Sequence, residues 1–219
     1  MNQSFLSPAE KKQLLPIGSL VVLVILHTVG LFGLNSDAKE WFMAVTPVNL
    51  WISFLIIFLN QKSWRPQLVA MVTLAFLTGF MAEVAGVATG LIFGEYAYGN
   101  TLGFKLWGVP LTIGANWALL VFASGAITSL LKAHWIVKAI LGAALMTTLD
   151  FVLEPVAMKL DFWSWPQNVV PLQNYIGWFV IALFLHLVYQ KLVKDQRNPV
   201  GIGLFIIQFV FFTVLNLTL

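Results

Sequence analysis

The sequence contains no cysteine, so it can form neither a disulfide nor a thiolate metal site, and cysteine usage says nothing about its redox compartment. Charge is scarce. Only 10% of the 219 residues are Asp, Glu, Lys or Arg, against about 25% in an ordinary soluble domain. The three histidines, His27, His134 and His186, are scattered singly, which removes the clustered ligands of a di-iron hydroxylase, desaturase or ketolase. There is no Asp-rich metal motif of a prenyl-diphosphate enzyme and no G-x-G-x-x-G dinucleotide loop. The last apolar segment has no charged residue and therefore no Schiff-base lysine for retinal. The net charge of +3 is spread between apolar runs and forms no basic patch, so no nucleic-acid partner is expected.

What is present is apolar. Hydrophobic residues make up 59% of the chain, and a spanning helix needs about 20 of them in succession. Seven segments qualify, at 15–34, 41–59, 66–89, 109–131, 135–158, 172–193 and 199–217. The reading is an all-α, multi-pass cell-membrane protein, a single integral membrane domain over 1–219 surrounded by membrane lipids. Lys11 and Lys12 precede the first segment and no small-residue cleavage pattern follows it, so that segment is expected to stay as an anchor. Lys11, Lys12, Lys62, Arg65, Lys132, Lys138, Lys191, Lys194 and Arg197 fall on one side of the alternating spans, with only Lys39, Lys105 and Lys159 on the other. That bias predicts an inside N-terminus and an outside C-terminus.

The two longest connections, 90–108 and 159–171, lie on the outer side and are rich in aromatics: Tyr96, Tyr98, Phe104, Trp107, Phe162, Trp163 and Trp165. They serve either as headgroup-level anchors or as a lid over a site. Each loop ends similarly, Val109-Pro110-Leu111 before Trp117 and Val170-Pro171-Leu172 before Trp178, which hints at a parallel repeat of segments 3–4 and 5–6.

Three acids lie within the spans: Glu83 in the third, Asp150 and Glu154 in the fifth. A charge at the bilayer centre costs about 2.5–3.5 kcal/mol on insertion scales, so such residues face the bundle interior and mark function. All three fall in the outer half, beneath the aromatic loops. Asp150 and Glu154 are four apart and share a helical face. Two carboxyls that close in a low dielectric do not both ionise, which gives a proton donor beside a base. Gly79, Gly86 and Gly90 flank Glu83 at a spacing that admits a close neighbour, either a helix or a flat ligand. His27 either relays protons or simply bonds to a neighbour. Asn116 and Asn174 either position water or hold a carboxyl, or else glue helices together. Pro155 should kink or end the fifth helix.

From the residues alone, two functions stay open. One is a metal-free, nucleotide-free acid–base site opening towards a lipid-like ligand, and the other is a proton-coupled transport path. A transporter would show inverted repeats and polar groups along both halves of its path, whereas these acids gather on one side. Acids that merely hold helices together would recover only about 0.6–2 kcal/mol per hydrogen bond.

The run Glu83-x-x-Gly86-x-x-Thr89-Gly90-x-x-Phe93-Gly94-x-Tyr96-x-Tyr98, then Leu102-Gly103, Gly108-Val109-Pro110 and Trp117, resembles carotenoid biosynthesis membrane proteins of the carotenoid 1,2-hydratase type. So do Asp150-x-x-x-Glu154-Pro155-x-Ala157, Phe162-Trp163-x-Trp165, Pro171, Asn174 and Gly177-Trp178. The resemblance covers about residues 79 to 180. It implies addition of water to the terminal C1=C2 bond of an acyclic carotenoid, giving a tertiary 1-hydroxyl without a cofactor. Protonating such an alkene makes a tertiary cation, which calls for a desolvated acid, an activated water and aromatic faces. On that reading Glu154 or Asp150 gives the proton and Glu83 orients or deprotonates water. Tyr96, Tyr98, Trp163 and Trp165 line the end-group pocket, with Trp178, Asn174, Asn116 and His27 as further contacts. A carotenoid or lycopene cyclase, which quenches the same cation internally, is the neighbouring alternative. Oligomeric state is left open.

Overall fold

A computed structural model describes residues 8–219, with side chains from Leu14 onward. The side chains of Lys11 and Lys12, invoked above for orientation, lie outside the described residues. Among the described residues seven α-helices run α1 Pro8–Leu34, α2 Lys39–Leu59, α3 Pro66–Thr89, α4 Leu111–Thr128, α5 Trp135–Lys159, α6 Leu172–Leu192 and α7 Pro199–Thr218. All seven are long and apolar enough to cross a membrane, so the chain is an all-α integral membrane protein.

Helix α4 is the central post. Gly114, Ala115, Ala118, Ala123, Ser124, Gly125 and Ala126 are among its buried residues, small enough for neighbouring backbones to come close. It packs against α2, α3, α5 and α7. The others turn apolar side chains such as Ile25, Phe32, Leu55, Leu77 and Val180 outward, where lipid replaces the water that would forbid them. Helix α4 is shorter than the sequence suggested: residues 129–131 leave the helix and 109–110 form a strand. Nor does Pro155 end α5, which continues to Lys159 with the proline inside it.

The alternating helices sort the basic residues onto two faces. On one, Lys62 pairs with Asp195 at 3.5 Å and Lys191 sits 3.5 Å above the Trp135 ring. On the other, Lys105 Nζ donates to the Tyr98 carbonyl at 2.7 Å. The aromatic loops of that second face are stitched into a cover. Strand β1 (Ala97–Tyr98) pairs antiparallel with β4 (Trp163–Ser164), so the loop after α3 is bound to the loop after α5. Strands β2 (Lys105–Leu106) and β3 (Val109–Pro110) form a hairpin. Its two turn residues, Trp107 and Gly108, have φ of 53° and 82°, as a tight primed turn requires. Phe104 and Trp107 are exposed, as anchors would be, while Phe162, Trp163 and Trp165 are buried beneath the cover.

Candidate active site

The three acids are buried under this cover, each 3% exposed or less. Glu83 accepts three hydrogen bonds. Tyr96 Oη and Tyr98 Oη both donate to its Oε2, the latter at 2.8 Å, and Trp117 Nε1 donates to Oε1 at 3.1 Å. Glu154 also accepts three. Trp163 Nε1 and Trp165 Nε1 each donate to Oε2 at 2.8 Å, and Asn174 Nδ2 donates to Oε1 at 3.0 Å. The same amide nitrogen donates to Asp150 Oδ2 at 2.9 Å, so Asn174 joins the two acids of α5. Asp150 Oδ1 is different: it is buried and has no partner among the described residues.

These contacts expose a two-fold correspondence. An acid on α3 takes bonds from an aromatic-x-aromatic pair in the loop that follows, Tyr96 and Tyr98; an acid on α5 does the same with Trp163 and Trp165. Pro110 caps α4 and Pro171 caps α6, each seven residues before a tryptophan. Those tryptophans, Trp117 and Trp178, stack at 4.1 Å between centroids and 17° between planes. The correspondence fails at two places. Asp150, four residues before Glu154, matches Gly79, four before Glu83, and Asn174 matches Ile113. A side chain at Gly79 would collide with the Trp117 ring, so that half of the site is filled by indole.

Two chambers meet at the acids. A small one of about 20 Å³ is lined by Glu83, Glu154, Tyr96, Tyr98, Asn116 and Asn174, among others. That is room for one water. A larger chamber of about 250 Å³, almost wholly apolar, runs between α1, α2, α4, α5 and α7 and has Asp150 in its wall. Ile113, Asn116, Trp163 and Trp178 belong to both walls and so form the partition.

The structure thus gathers Glu83, Asp150, Glu154, Tyr96, Tyr98, Trp163, Trp165, Asn174, Trp178 and Asn116 around one locus. His27 is set apart: it lines the larger chamber, gives its Nδ1 to the Leu23 carbonyl at 2.8 Å, and meets Phe211 edge to face. Trp117 was missed as a partner of Glu83, though the matching Pro110 and Pro171 phrases signalled it. Asn49 and Gln208, which also line the larger chamber, were missed too; a lone amide in the middle of a span was the available signal. Outside the spans, Tyr96 and Tyr98 have their phenol pKa values raised, first by desolvation under the cover and then by the Glu83 charge. Both hydroxyls therefore stay protonated as donors.

An acid-lined pocket borders an apolar chamber inside a bundle of seven membrane-spanning helices. Residues 40–219 match the family of carotenoid biosynthesis proteins, and the chain belongs to that family. It is also similar to a bisanhydrobacterioruberin hydratase of Haloarcula japonica, 35% identical over 112 residues, which are 48% of this chain and 38% of that protein. The chain thus spans well under half the length of that relative. No solved structure matches.

Proposed function

We propose that the protein hydrates the terminal C1=C2 bond of an acyclic carotenoid in the cell membrane, with Asp150 as acid and Glu83 as the base for water. The observation that carries this reading is the free Oδ1 of Asp150 beside an apolar chamber. Glu83 and Glu154 each receive three donors and so act as acceptors. Asp150 receives one and has an oxygen to spare for a proton.

The alkene lies in the larger chamber against the indoles of Trp163 and Trp178. Asp150 protonates the less substituted carbon, C2, and the positive charge develops on C1, where the indole faces stabilise it. Water held in the small chamber bonds through oxygen to C1 and passes a proton to Glu83. Proton exchange then returns Glu83 and Asp150 to their starting states, so the net change is one water added. Glu154 and Asn174 are positioning groups that hold Asp150 in place. The basic face is the inner one, so the aromatic cover faces outward.

The similarity to a protein named as a hydratase favours hydration over cyclisation, and the one-water chamber supplies the nucleophile that a cyclase would exclude. Co-expression in a bacterial host that makes lycopene tests this. New pigments heavier by one or two waters are expected; a new pigment of unchanged mass would mean cyclisation.

A further inference from the structure

Away from the acids, the polar side chains lining the larger chamber are His27 of α1, Thr46 and Asn49 of α2 and Gln208 of α7, and Thr46 spends its hydroxyl on the Phe42 carbonyl. The Oδ1 of Asn49 and the Oε1 of Gln208 are buried without a hydrogen-bond partner among the described residues. His27 has committed Nδ1 to its own helix, which leaves Nε2 for a ligand. Other amides in this fold join helices through their nitrogens, although the Asn60 Oδ1 is itself buried without a partner among the described residues. Asn60 donates to Ser19, Asn198 to the Ile57 carbonyl and Asn216 to the Val152 carbonyl, each joining one helix to another. Helix glue explains those three and leaves Asn49 and Gln208 unexplained. A buried polar group in hydrocarbon that makes no bond within the protein is stable only if something else supplies one.

The depth of Gln208 follows from one of those bonds. Helices α5 and α7 are parallel, and Asn216 bonds to Val152, so the two are level. Counting back along each helix, Gln208 lies six residues deeper than Asp150, or about 9 Å at 1.5 Å per residue.

We infer that His27, Asn49 and Gln208 form a subsite for a hydroxyl group, and that the preferred substrate is an acyclic isoprenoid carrying a hydroxyl several bonds from the alkene to be protonated. A hydroxyl both donates and accepts, so it satisfies an imidazole nitrogen and an amide together, whereas a hydrocarbon satisfies neither. A site built to bond a hydroxyl discriminates against the analogue without one, because its own polar groups are then left unpaired. The identification of the alkene end rests on the proposed hydration; the subsite itself does not.

Titration calorimetry of the purified full chain in detergent, with geraniol and with its hydrocarbon counterpart 2,6-dimethyl-2,6-octadiene, tests the inference. The two share a chain and a terminal trisubstituted alkene and differ in the hydroxyl. Geraniol should bind at least tenfold more tightly, and Gln208→Leu and Asn49→Leu should each bring the ratio close to one while still binding the hydrocarbon. Circular dichroism and size-exclusion profiles establish that each variant is folded, and either variant suffices. Equal affinities in the unaltered protein, no binding of either probe, or an unchanged preference in a folded variant would overturn the subsite. A clear preference with no water ever added to a carotenoid would leave the subsite standing and remove the hydratase reading.

Discussion

Asp150 and Gly79 occupy corresponding positions in the two helical hairpins of the site, each four residues before an acid that accepts three hydrogen bonds. Where the halves agree, they build a scaffold of acceptors; where they part, one side gains a carboxyl and the other a packed indole.

Asp150→Asn should therefore abolish activity while leaving the fold intact. Asparagine keeps an oxygen for the Asn174 amide and removes only the transferable proton. General acids contribute about 10²–10⁴-fold, and a loss of that size is expected in hydrated pigment per unit of protein. Glu154→Gln should lose less, because Glu154 acts by holding its neighbours. The two variants can be compared by chromatography of pigments from a carotenoid-producing host. Equal losses would contradict the division of roles.

Tyr96 and Tyr98 give a test at high pH. Their folded-state pKa values are raised from 10, so in the unfolded chain they release protons first as pH rises. Stability tied to them is complete below about pH 10 and declines as pH climbs beyond it. Thermal unfolding of the unaltered protein should weaken more steeply between about pH 9 and 11 than that of Tyr98→Phe; these bounds are about one unit around the free phenol. Phenolate absorbance at the top of that range should be equal in the two folded proteins. A larger phenolate signal in the unaltered protein would show that Tyr98 titrates freely.

The acids themselves were legible in the sequence because carboxyls in a span are costly, and nothing about loop structure was needed to notice them. Asn174 was legible as a group that could hold a carboxyl, but the aromatic donors to each acid were not. Whether Tyr98 reaches Glu83 or Trp163 reaches Glu154 depends on a two-residue ladder, Ala97 with Ser164 and Tyr98 with Trp163, between loops 65 residues apart in number, too short a pattern for periodicity to reveal. Helix α4 was set too long at both ends because the apolar residues of 109–110 and 129–131 continue its composition while adopting strand and turn. Of the two expectations for Pro155, a stop is overturned, because α5 continues through it to Lys159. Gln208 and Asn49 were passed over although Asn116 and Asn174, amides in the same kind of apolar run, were singled out.

Gly79 supplies a packing test. Gly79→Ala places a methyl in the space held by the Trp117 ring, which must shift. Overpacking costs about 1–3 kcal/mol, and here it also pulls an indole donor from Glu83. The melting temperature should fall and hydration should drop with it, although residue 79 touches no substrate. Trp117→Phe should reproduce the lost donor and, combined with Gly79→Ala, relieve the crowding. Unchanged stability in Gly79→Ala would contradict the close packing.

The central claim is that a proton from the site and an oxygen from water are added to one double bond. Membranes containing the protein, given lycopene in buffer enriched in deuterium and oxygen-18, should yield a product with one deuterium on carbon and one heavy oxygen in the new hydroxyl per hydrated end, and Asp150→Asn membranes should yield none. Oxygen taken from air, a product of unchanged elemental composition, or full labelling by Asp150→Asn would contradict the account.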